Sequence, residues 1–283
     1  VIALVRDLVR RGRHPAVLTR GFGRAATEPV VLIGPDPGVG VGLAGDEPRE
    51  IARRLPGVPV VVDADRVRGG VEALTRGADI LVLDDGFQHL KLERDLDLVL
   101  VDAGDPWGGG RMPPGGRLRE PVAGLVRADA VLVTKVPRDP APVVEEVQRV
   151  VAGLAPDTPV FAARLEPTTV RRPEGPASPE VLDGTRVLAV AALGRPEGFA
   201  EVLRAAGAHM VETRWFADHH VFTTVELEDA VRRGGELAAV VVTTAKDAVK
   251  MPRDAAVWVV EAMMTPVTGN WDELWRLLPG VDP

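Results

Sequence analysis

The sequence contains no cysteine and no tyrosine among its 283 residues. The absence of cysteine excludes disulfides, thiolate zinc sites, iron–sulfur clusters and cysteine nucleophiles, and the absence of tyrosine excludes a tyrosine general acid. Lysine is scarce: only four of the 34 basic residues are lysines, and the rest are arginines. The lysines are Lys91, Lys135, Lys246 and Lys250. Because the two side chains bind anions differently, each retained lysine is a candidate functional residue, with chance retention as the alternative.

Long hydrophobic runs and an excess of positive charge are also missing. No apolar run approaches the roughly 18 residues that a membrane helix needs, and no signal-peptide pattern stands at the start. The net charge of −7 argues against a nucleic-acid partner. A hydrophobic content of 46% is enough for a core, and the length is typical of two domains of about 150 residues each.

The first residues have the pattern of an amphipathic helix that lacks an N-terminal cap. Val1, Leu4, Val5 and Leu8 share one face, and Gly12 is a plausible C-terminal stop. No Ser, Thr, Asp or Asn cap precedes this pattern, so we expect a further segment before Val1.

Short apolar runs then alternate with helical patterns, which predicts mostly parallel sheets covered by helices on both faces. We expect an α/β protein with two α/β/α domains, at 1–155 and 185–283, joined by a proline-rich linker or hairpin at 156–184. Strands are predicted at 16–19, 30–33, 60–62, 80–83, 98–101, 130–133, 187–191, 210–216, 239–243 and 257–260. Helices are predicted at 45–55, 66–76, 142–154, 196–206, 225–234 and near 271–278.

The strongest local motif follows the apolar run 80–83. Asp84 and Asp85 come directly after it, and Gln88 and His89 stand close behind. An apolar strand that ends in carboxylates is the Walker B arrangement, in which the carboxylates hold Mg²⁺ directly or through water. The alternative is a buried strand closed by an Asp-Asp-Gly turn.

Two further segments each allow two interpretations. Asp46, in Gly-Asp-Glu-Pro, is either the N-cap of the next helix or a general base at a helix start. The glycine- and proline-rich segment 108–121 is either a phosphate-binding loop that uses Arg117 and Arg119, or a solvated surface loop with incidental charge pairs.

Two strand ends in the C-terminal half carry polar clusters. Asp218, His219 and His220 follow one strand, and a histidine–carboxylate pair for proton transfer is a better functional interpretation than a zinc site. A surface turn is the alternative. Lys246 follows another strand, where it would contact a nucleotide or simply extend into solvent.

Together these segments resemble one family, the tetraacyldisaccharide 4′-kinases, also called lipid A 4′-kinases. The resemblance extends over essentially the whole chain, and the Asp-Asp-Gly-Phe-Gln-His string is its most specific part. The matching motifs are Leu18-Thr-Arg20-Gly21-Phe22-Gly23, Gly45-Asp-Glu-Pro48, Asp84-Asp-Gly-Phe-Gln-His89, Arg117-Leu-Arg-Glu-Pro121, and Asp218-His219 followed by Thr244-Ala-Lys-Asp-Ala-Val-Lys250.

The resemblance implies a membrane-facing P-loop kinase with its active site between two α/β domains. It would transfer the γ-phosphoryl of ATP to the 4′-hydroxyl of an acylated glucosamine disaccharide 1-phosphate, with Mg²⁺. It implies a monomer at the cytoplasmic face of the inner membrane. The implied roles are a base (Asp46) with a histidine partner (His219), Mg²⁺ ligands (Asp84, Asp85, Glu120), and nucleotide- or substrate-binding residues (Arg20, Glu47, Gln88, His89, Arg119, Lys246).

The sequence also departs from the family. The family's N-terminal hydrophobic helix and its glycine-rich loop with Gly-Lys-Thr are not in the sequence, and Gly38-Val-Gly40-Val-Gly42 lacks the lysine that such a loop needs. Phe22 replaces the usual Tyr, and Ala245 the usual Glu. The alternatives are therefore an inactive fragment that binds a nucleotide or glycolipid, or another P-loop enzyme such as a metallochaperone GTPase.

Overall fold

The computed structural model describes residues 1–21, 28–34, 41–218, 220–252, 255–267 and 270–281, and only the backbone of residues 41, 42 and 46. The helices are α1 Ile2–Arg10, α2 Val41–Ala44, α3 Asp46–Arg54, α4 Arg66–Thr75, α5 Ala141–Leu154, α6 Glu197–Ala205, α7 Thr224–Glu236, α8 Ala245–Ala248 and α9 Asp272–Trp275. The strands are β1 Pro15–Thr19, β2 Val30–Ile33, β3 Pro59–Val62, β4 Ile80–Leu83, β5 Leu98–Asp102, β6 Ala130–Thr134, β7 Val160–Arg172, β8 Gly175–Ala177, β9 Arg186–Ala192, β10 His209–Phe216, β11 Val240–Thr244 and β12 Trp258–Pro266.

The first sheet has the order β2-β3-β1-β4. Strands β3, β1 and β4 are parallel, and β2 is antiparallel to β3 at the edge. All five residues of β1 are buried, as expected for a continuous apolar run in the middle of a sheet covered on both faces. Because these strands are parallel, the residues that follow β1, β3 and β4 meet at one edge of the sheet.

The second sheet has the order β10-β9-β11-β12-β7-β6-β5, with β8 paired to β7. Its pairs are parallel except for β12 with β7 and the hairpin of β7 with β8. The prediction of a mixed α/β fold with mostly parallel sheets is confirmed.

The hairpin alternative for segment 156–184 is the one observed. The first residues of β7 pair with β6, and the rest pair with β12 and β8. Pro167 lies beside a register shift in β12, where a missing N–H is tolerated. Strands from both predicted domains therefore share one sheet through β7, and the division at 155 and 185 stays a prediction.

Helix α1 begins after Val1 and is followed by Gly12 at φ 76°, as the sequence predicts. Its buried Asp7 accepts a hydrogen bond of 2.7 Å from Trp275 Nε1, which fastens α1 to α9. Within the described residues, no helix is long and apolar enough to cross a membrane.

Candidate functional site

The end of β4 presents the two aspartates of the strongest motif. The Asp84 backbone N–H donates to Leu18 O at 2.9 Å, and its Oδ2 accepts from Thr19 Oγ1 at 3.2 Å. Asp85 takes a left-handed φ of 52° and is exposed. A Cβ on Gly86 would lie 2.5 Å from Leu83 Cβ, so only glycine lets the chain turn back this tightly.

An arginine that the sequence did not single out lies behind these carboxylates. Arg66, at the start of α4, is only 4% exposed. Its guanidinium donates to Asp63 O and, at 3.4 Å, to Asp84 O. Burial lowers the pKa of Arg66, and nearby Arg20 acts in the same direction, while Asp84 opposes it. A basic residue is disfavoured at a helix N-terminus, and this oddity was the available signal.

Helix α3 brings a third carboxylate to this edge. The pKa of Glu47 is raised, first because the protein displaces water from its carboxylate and then because Asp84 lies nearby; Glu50 and Asp85 add to the effect. Gly45 occupies the N-cap position with φ 88°, so Asp46 is the first helical residue. The N-cap interpretation of Asp46 is therefore wrong by one position. The Asp46 side chain lies outside the described part of the chain.

The second half of the molecule contributes a lysine to the same region. Lys246, in α8, lowers the pKa of Glu47 and donates to Asp218 Oδ1 at 2.9 Å. Arg53 of α3 donates to Ala245 O at 3.4 Å, which is a second link between α3 and α8. We call the region formed by Glu47, Asp84, Asp85 and Lys246 the acidic crevice. His219 lies outside the described residues, as do Phe22, Gly23 and residues 38–40.

The neighbouring histidine has a structural setting. His220 stacks on Phe216 with ring centroids 4.7 Å apart and meets Phe222 edge-on. Its Nε2 lies 3.1 Å from Glu226, which completes a capping box with Thr223 at the start of α7. His220 therefore anchors the turn that carries Asp218.

The loop that holds Arg117, Arg119 and Glu120 is fastened by ion pairs. Arg117 Nε lies 3.0 Å from Asp105 Oδ2, and Arg127 donates to both Glu120 oxygens at 3.0 Å. Arg119 is exposed.

Among the other residues of the Asp84–His89 motif, Phe87 contacts the arginine that holds Glu120. The Arg127 guanidinium stacks on the Phe87 ring at 4.5 Å. Gln88 is exposed, and the His89 carbonyl accepts from Arg94. Among the described residues, no group of three or more Asp, Glu and His side chains could hold a metal ion. Glu120 thus faces a cation rather than a carboxylate cluster, and its role as an Mg²⁺ ligand stays a prediction.

The end of β5 holds a second aspartate in a different setting. Lys135 Nζ donates to Asp102 Oδ2 at 2.7 Å, Gly104 N donates to Oδ1 at 2.9 Å, and Arg195 lies 3.6 Å away. Burial alone would raise the pKa of Asp102, but the Lys135 hydrogen bond, helped by Gly104 and Arg195, lowers it. Lys135 itself has φ 56°. The sequence singled out Lys135 but neither Asp102 nor Arg195.

Comparison with known proteins gives a consistent picture. The profile of a family described as LpxK, tetraacyldisaccharide-1-P 4′-kinase, matches residues 1–278. A tetraacyldisaccharide 4′-kinase of Anaeromyxobacter sp. (strain Fw109-5) is 42% identical over 257 residues, which cover 88% of this chain and 68% of that protein. That of Syntrophus aciditrophicus is 38% identical over 265 residues, covering 89% and 70%.

A solved structure is similar over almost the whole length. The apo form of LpxK from Aquifex aeolicus in complex with ATP has a TM-score of 0.70 and 27% identity, covering 98% of this chain and 81% of that one.

Proposed function

Because this chain belongs to the LpxK family of tetraacyldisaccharide 4′-kinases, we propose that it transfers the γ-phosphoryl of ATP to the 4′-hydroxyl of an acylated glucosamine disaccharide 1-phosphate. A relative solved with ATP supports the choice of nucleotide. Membership of a kinase family argues against the metallochaperone GTPase.

The observation that carries the proposal is the acidic crevice. Carboxylates at the end of β4 lie close enough to Glu47 of α3 to raise its pKa, and Lys246, from the other half of the molecule, acts on the same carboxylate in the opposite direction. Phosphoryl transfer depends on positioning and electrostatic stabilisation more than on covalent chemistry. Negative groups that hold a metal, with a lysine beside them to attract phosphate oxygens, suit that reaction.

The donor set fits Mg²⁺. Mg²⁺ is usually held by one or two carboxylates together with water and substrate phosphates, so a cage of three side chains is not required. Asp84 and Asp85 would hold it, and Thr19 Oγ1 orients the Asp84 carboxylate through the 3.2 Å hydrogen bond. When bound, the ion neutralises charge on the phosphates.

We propose that Asp46 accepts the proton of the acceptor hydroxyl and that His219 is the partner of Asp46. Asp46 precedes Glu47 at the start of α3, and His219 follows Asp218, which accepts from Lys246. Because Lys246 also acts on Glu47, the chain neighbours of the two residues lie close together, which supports their pairing. A histidine beside the carboxylate would orient it toward the acceptor hydroxyl and could take up the proton that the carboxylate receives.

The acceptor also sets the place of action. An acylated disaccharide resides in a membrane, so we propose that the enzyme works as a monomer at the cytoplasmic face of the inner membrane.

The test is a kinase assay with protein expressed from its whole reading frame. Tetraacyldisaccharide 1-phosphate in mixed micelles should gain one phosphate at the 4′-position in an ATP-dependent manner, identified by mass spectrometry and ³¹P NMR. Asp46→Asn and His219→Ala should each lower kcat by roughly 10²- to 10⁴-fold, the usual contribution of a general base.

Matched controls separate chemistry from charge. The exposed residues Asp157 and His209 allow Asp157→Asn and His209→Ala, and both should leave kcat within about twofold, as surface changes usually do. A wild-type protein that forms no 4′-phosphate refutes the assigned activity. Unchanged turnover in Asp46→Asn and His219→Ala refutes only the proposed pair.

A further inference from the structure

A cavity of about 650 Å³ is lined by residues from α3, β7, α8 and β12, and α3 and α8 also carry Glu47 and Lys246 of the acidic crevice. Four arginines line it, Arg49 and Arg53 from α3 and Arg171 and Arg172 from the end of β7. Among the described residues, no carboxylate lines it. The volume is in the range of small-molecule sites, about 300–1,000 Å³, and so many guanidinium groups without lining carboxylates favour an anionic ligand.

The charges of these arginines are only partly compensated. Arg171 Nε lies 2.9 Å from Glu261 Oε1. Within the described residues, Arg53 donates to one backbone carbonyl, and Arg172 rests over the Trp258 ring at 5.6 Å. Arg49 has no hydrogen-bond or ion-pair partner in the part of the chain that the structure describes. Burial lowers the pKa of Arg53; the charge of nearby Glu50 opposes this effect, and that of Arg171 adds to it.

The opposite wall of the cavity is apolar. Met251, Val257 and Val259 form this surface, which we call the Met251 wall. Their side chains are 8%, 6% and 7% exposed, and they belong to one hydrophobic core cluster. Val249 stands at the rim and is 52% exposed. A ligand that fills this cavity therefore combines an anionic group with an apolar portion.

We propose that the four arginines bind the 1-phosphate of the acylated disaccharide while its apolar part lies against the Met251 wall. The proposal rests on the function proposed above, since the substrate for which the family is named carries that phosphate. Arg53 follows Asp46 by seven residues of α3, which is about 10 Å at 1.5 Å per residue. One helix can thus present the base to the 4′-end of the disaccharide and arginines to its phosphorylated end.

A nucleotide is the competing source of phosphate. The transferable phosphates of a nucleotide must reach the proposed metal ligands Asp84 and Asp85. Arg49 and Arg53 lie about one and two turns beyond Asp46 along α3. The arrangement therefore favours the acceptor, and the kinetics distinguish the two sources.

The test combines two arginine replacements with removal of the phosphate. Wild type and Arg49→Gln/Arg53→Gln are assayed with the disaccharide acceptor with and without its 1-phosphate. For the phosphorylated acceptor, the variant should raise KM roughly tenfold or more, because two charge-assisted hydrogen bonds are lost. The KM for ATP and the kcat should stay within about twofold, and the two proteins should have similar KM values for the acceptor that lacks the phosphate.

The matched control removes two exposed helical arginines elsewhere, as Arg149→Gln/Arg204→Gln, and should leave all constants unchanged. Arg49→Gln alone guards against loss of folding, because Arg49 has no hydrogen-bond or ion-pair partner among the residues that the structure describes. An equal rise in KM for both acceptors overturns the proposal, and a rise in KM for ATP assigns the cavity to the nucleotide instead.

A binding measurement separates this proposal from the proposed function. Octyl phosphate combines a phosphomonoester with an alkyl chain, and octyl glucoside is its uncharged counterpart. Calorimetry should show that wild type binds octyl phosphate at least tenfold more tightly than Arg49→Gln/Arg53→Gln does, with no such difference for octyl glucoside. Equal binding by both proteins refutes the anion site even if the enzyme is an active kinase. Selective binding by a protein without kinase activity refutes the proposed function and the identity of the ligand, and leaves an anion site.

Discussion

The ends of β4 and β5 look alike in sequence and differ in electrostatics. Both are apolar parallel strands with an aspartate at the carboxyl end, Asp84 and Asp102. At β5, Lys135 and Arg195 surround the carboxylate and its pKa is lowered. At β4, a second aspartate and a glutamate lie nearby, and the pKa of Glu47 is raised.

The difference shows that the same local sequence pattern can support either a structural ion pair or a cation-binding site. A carboxylate satisfied by its own cations holds structure together, whereas carboxylates that repel one another carry a standing cost, as sites that bind a cation often do. Arg66 is a buried cation behind the β4 cluster, and it reaches Asp84 through the backbone carbonyl. Within the described residues, the carboxylates of the acidic crevice therefore have less compensating positive charge around them than Asp102 has.

The largest expected effect comes from exchanging each aspartate for asparagine. Asp84→Asn should lower kcat by roughly 10²- to 10³-fold, because a charged ligand near the transferred phosphoryl is lost. Asp102→Asn should keep kcat within about threefold, because the charge of Asp102 is already neutralised by Lys135 and Arg195. Steady-state kinetics of both purified variants gives the two kcat values. A similar fall in kcat for both variants would contradict the proposed difference between the two strand ends.

The stability of Asp102→Asn gives the second contrast. The variant should lose about 1 kcal/mol of unfolding free energy at neutral pH, the scale of a half-exposed ion pair. Because the folded pKa lies below the ordinary 3.8, this stabilisation is present above pH 3.8 and disappears as the pH falls through the folded pKa. Urea titrations at descending pH should therefore bring the two proteins together. Lys135→Met should remove the same interaction, so that the double variant loses less than the sum of the single changes.

The course of most strands was readable from the sequence because each is a short run of β-branched residues between turn signals. Predicted strand 80–83 is the observed β4, and 130–133 falls one residue short of β6. The exception is β7, whose prolines indicated a linker or hairpin. Pro167 lies beside a register shift, Pro173 lies in the following turn and Pro176 lies in the short strand β8, and only the partner strands reveal this.

The site was readable only where its residues are contiguous. Asp84 and Asp85 follow a strand directly, and that position alone indicated a ligand edge. The cations could not be assigned in this way, because Arg195 lies 93 residues from Asp102 and Lys246 lies 199 residues from Glu47. Which carboxylate is neutralised depends on tertiary packing, and no periodicity in the sequence carries that information.

The smallest expected effect has the opposite sign to that of Asp102→Asn. Because the folded pKa of Glu47 is raised above the ordinary 4.5, the folded state holds its proton longer, and stability declines as the pH rises from 4.5 through the folded pKa. Glu47→Gln removes this penalty and should gain about 0.5 kcal/mol at neutral pH, the scale of an exposed charge interaction. The gain should vanish below pH 4.5. Glu50→Gln, on the same helix, is the control: Glu50 lies 3.8 Å from Arg54, so its loss should bring no gain. A Glu47→Gln protein that unfolds more readily at neutral pH than wild type would mean that the crevice carboxylates are compensated like Asp102, because only unpaired negative charge makes the removal of a carboxylate favourable.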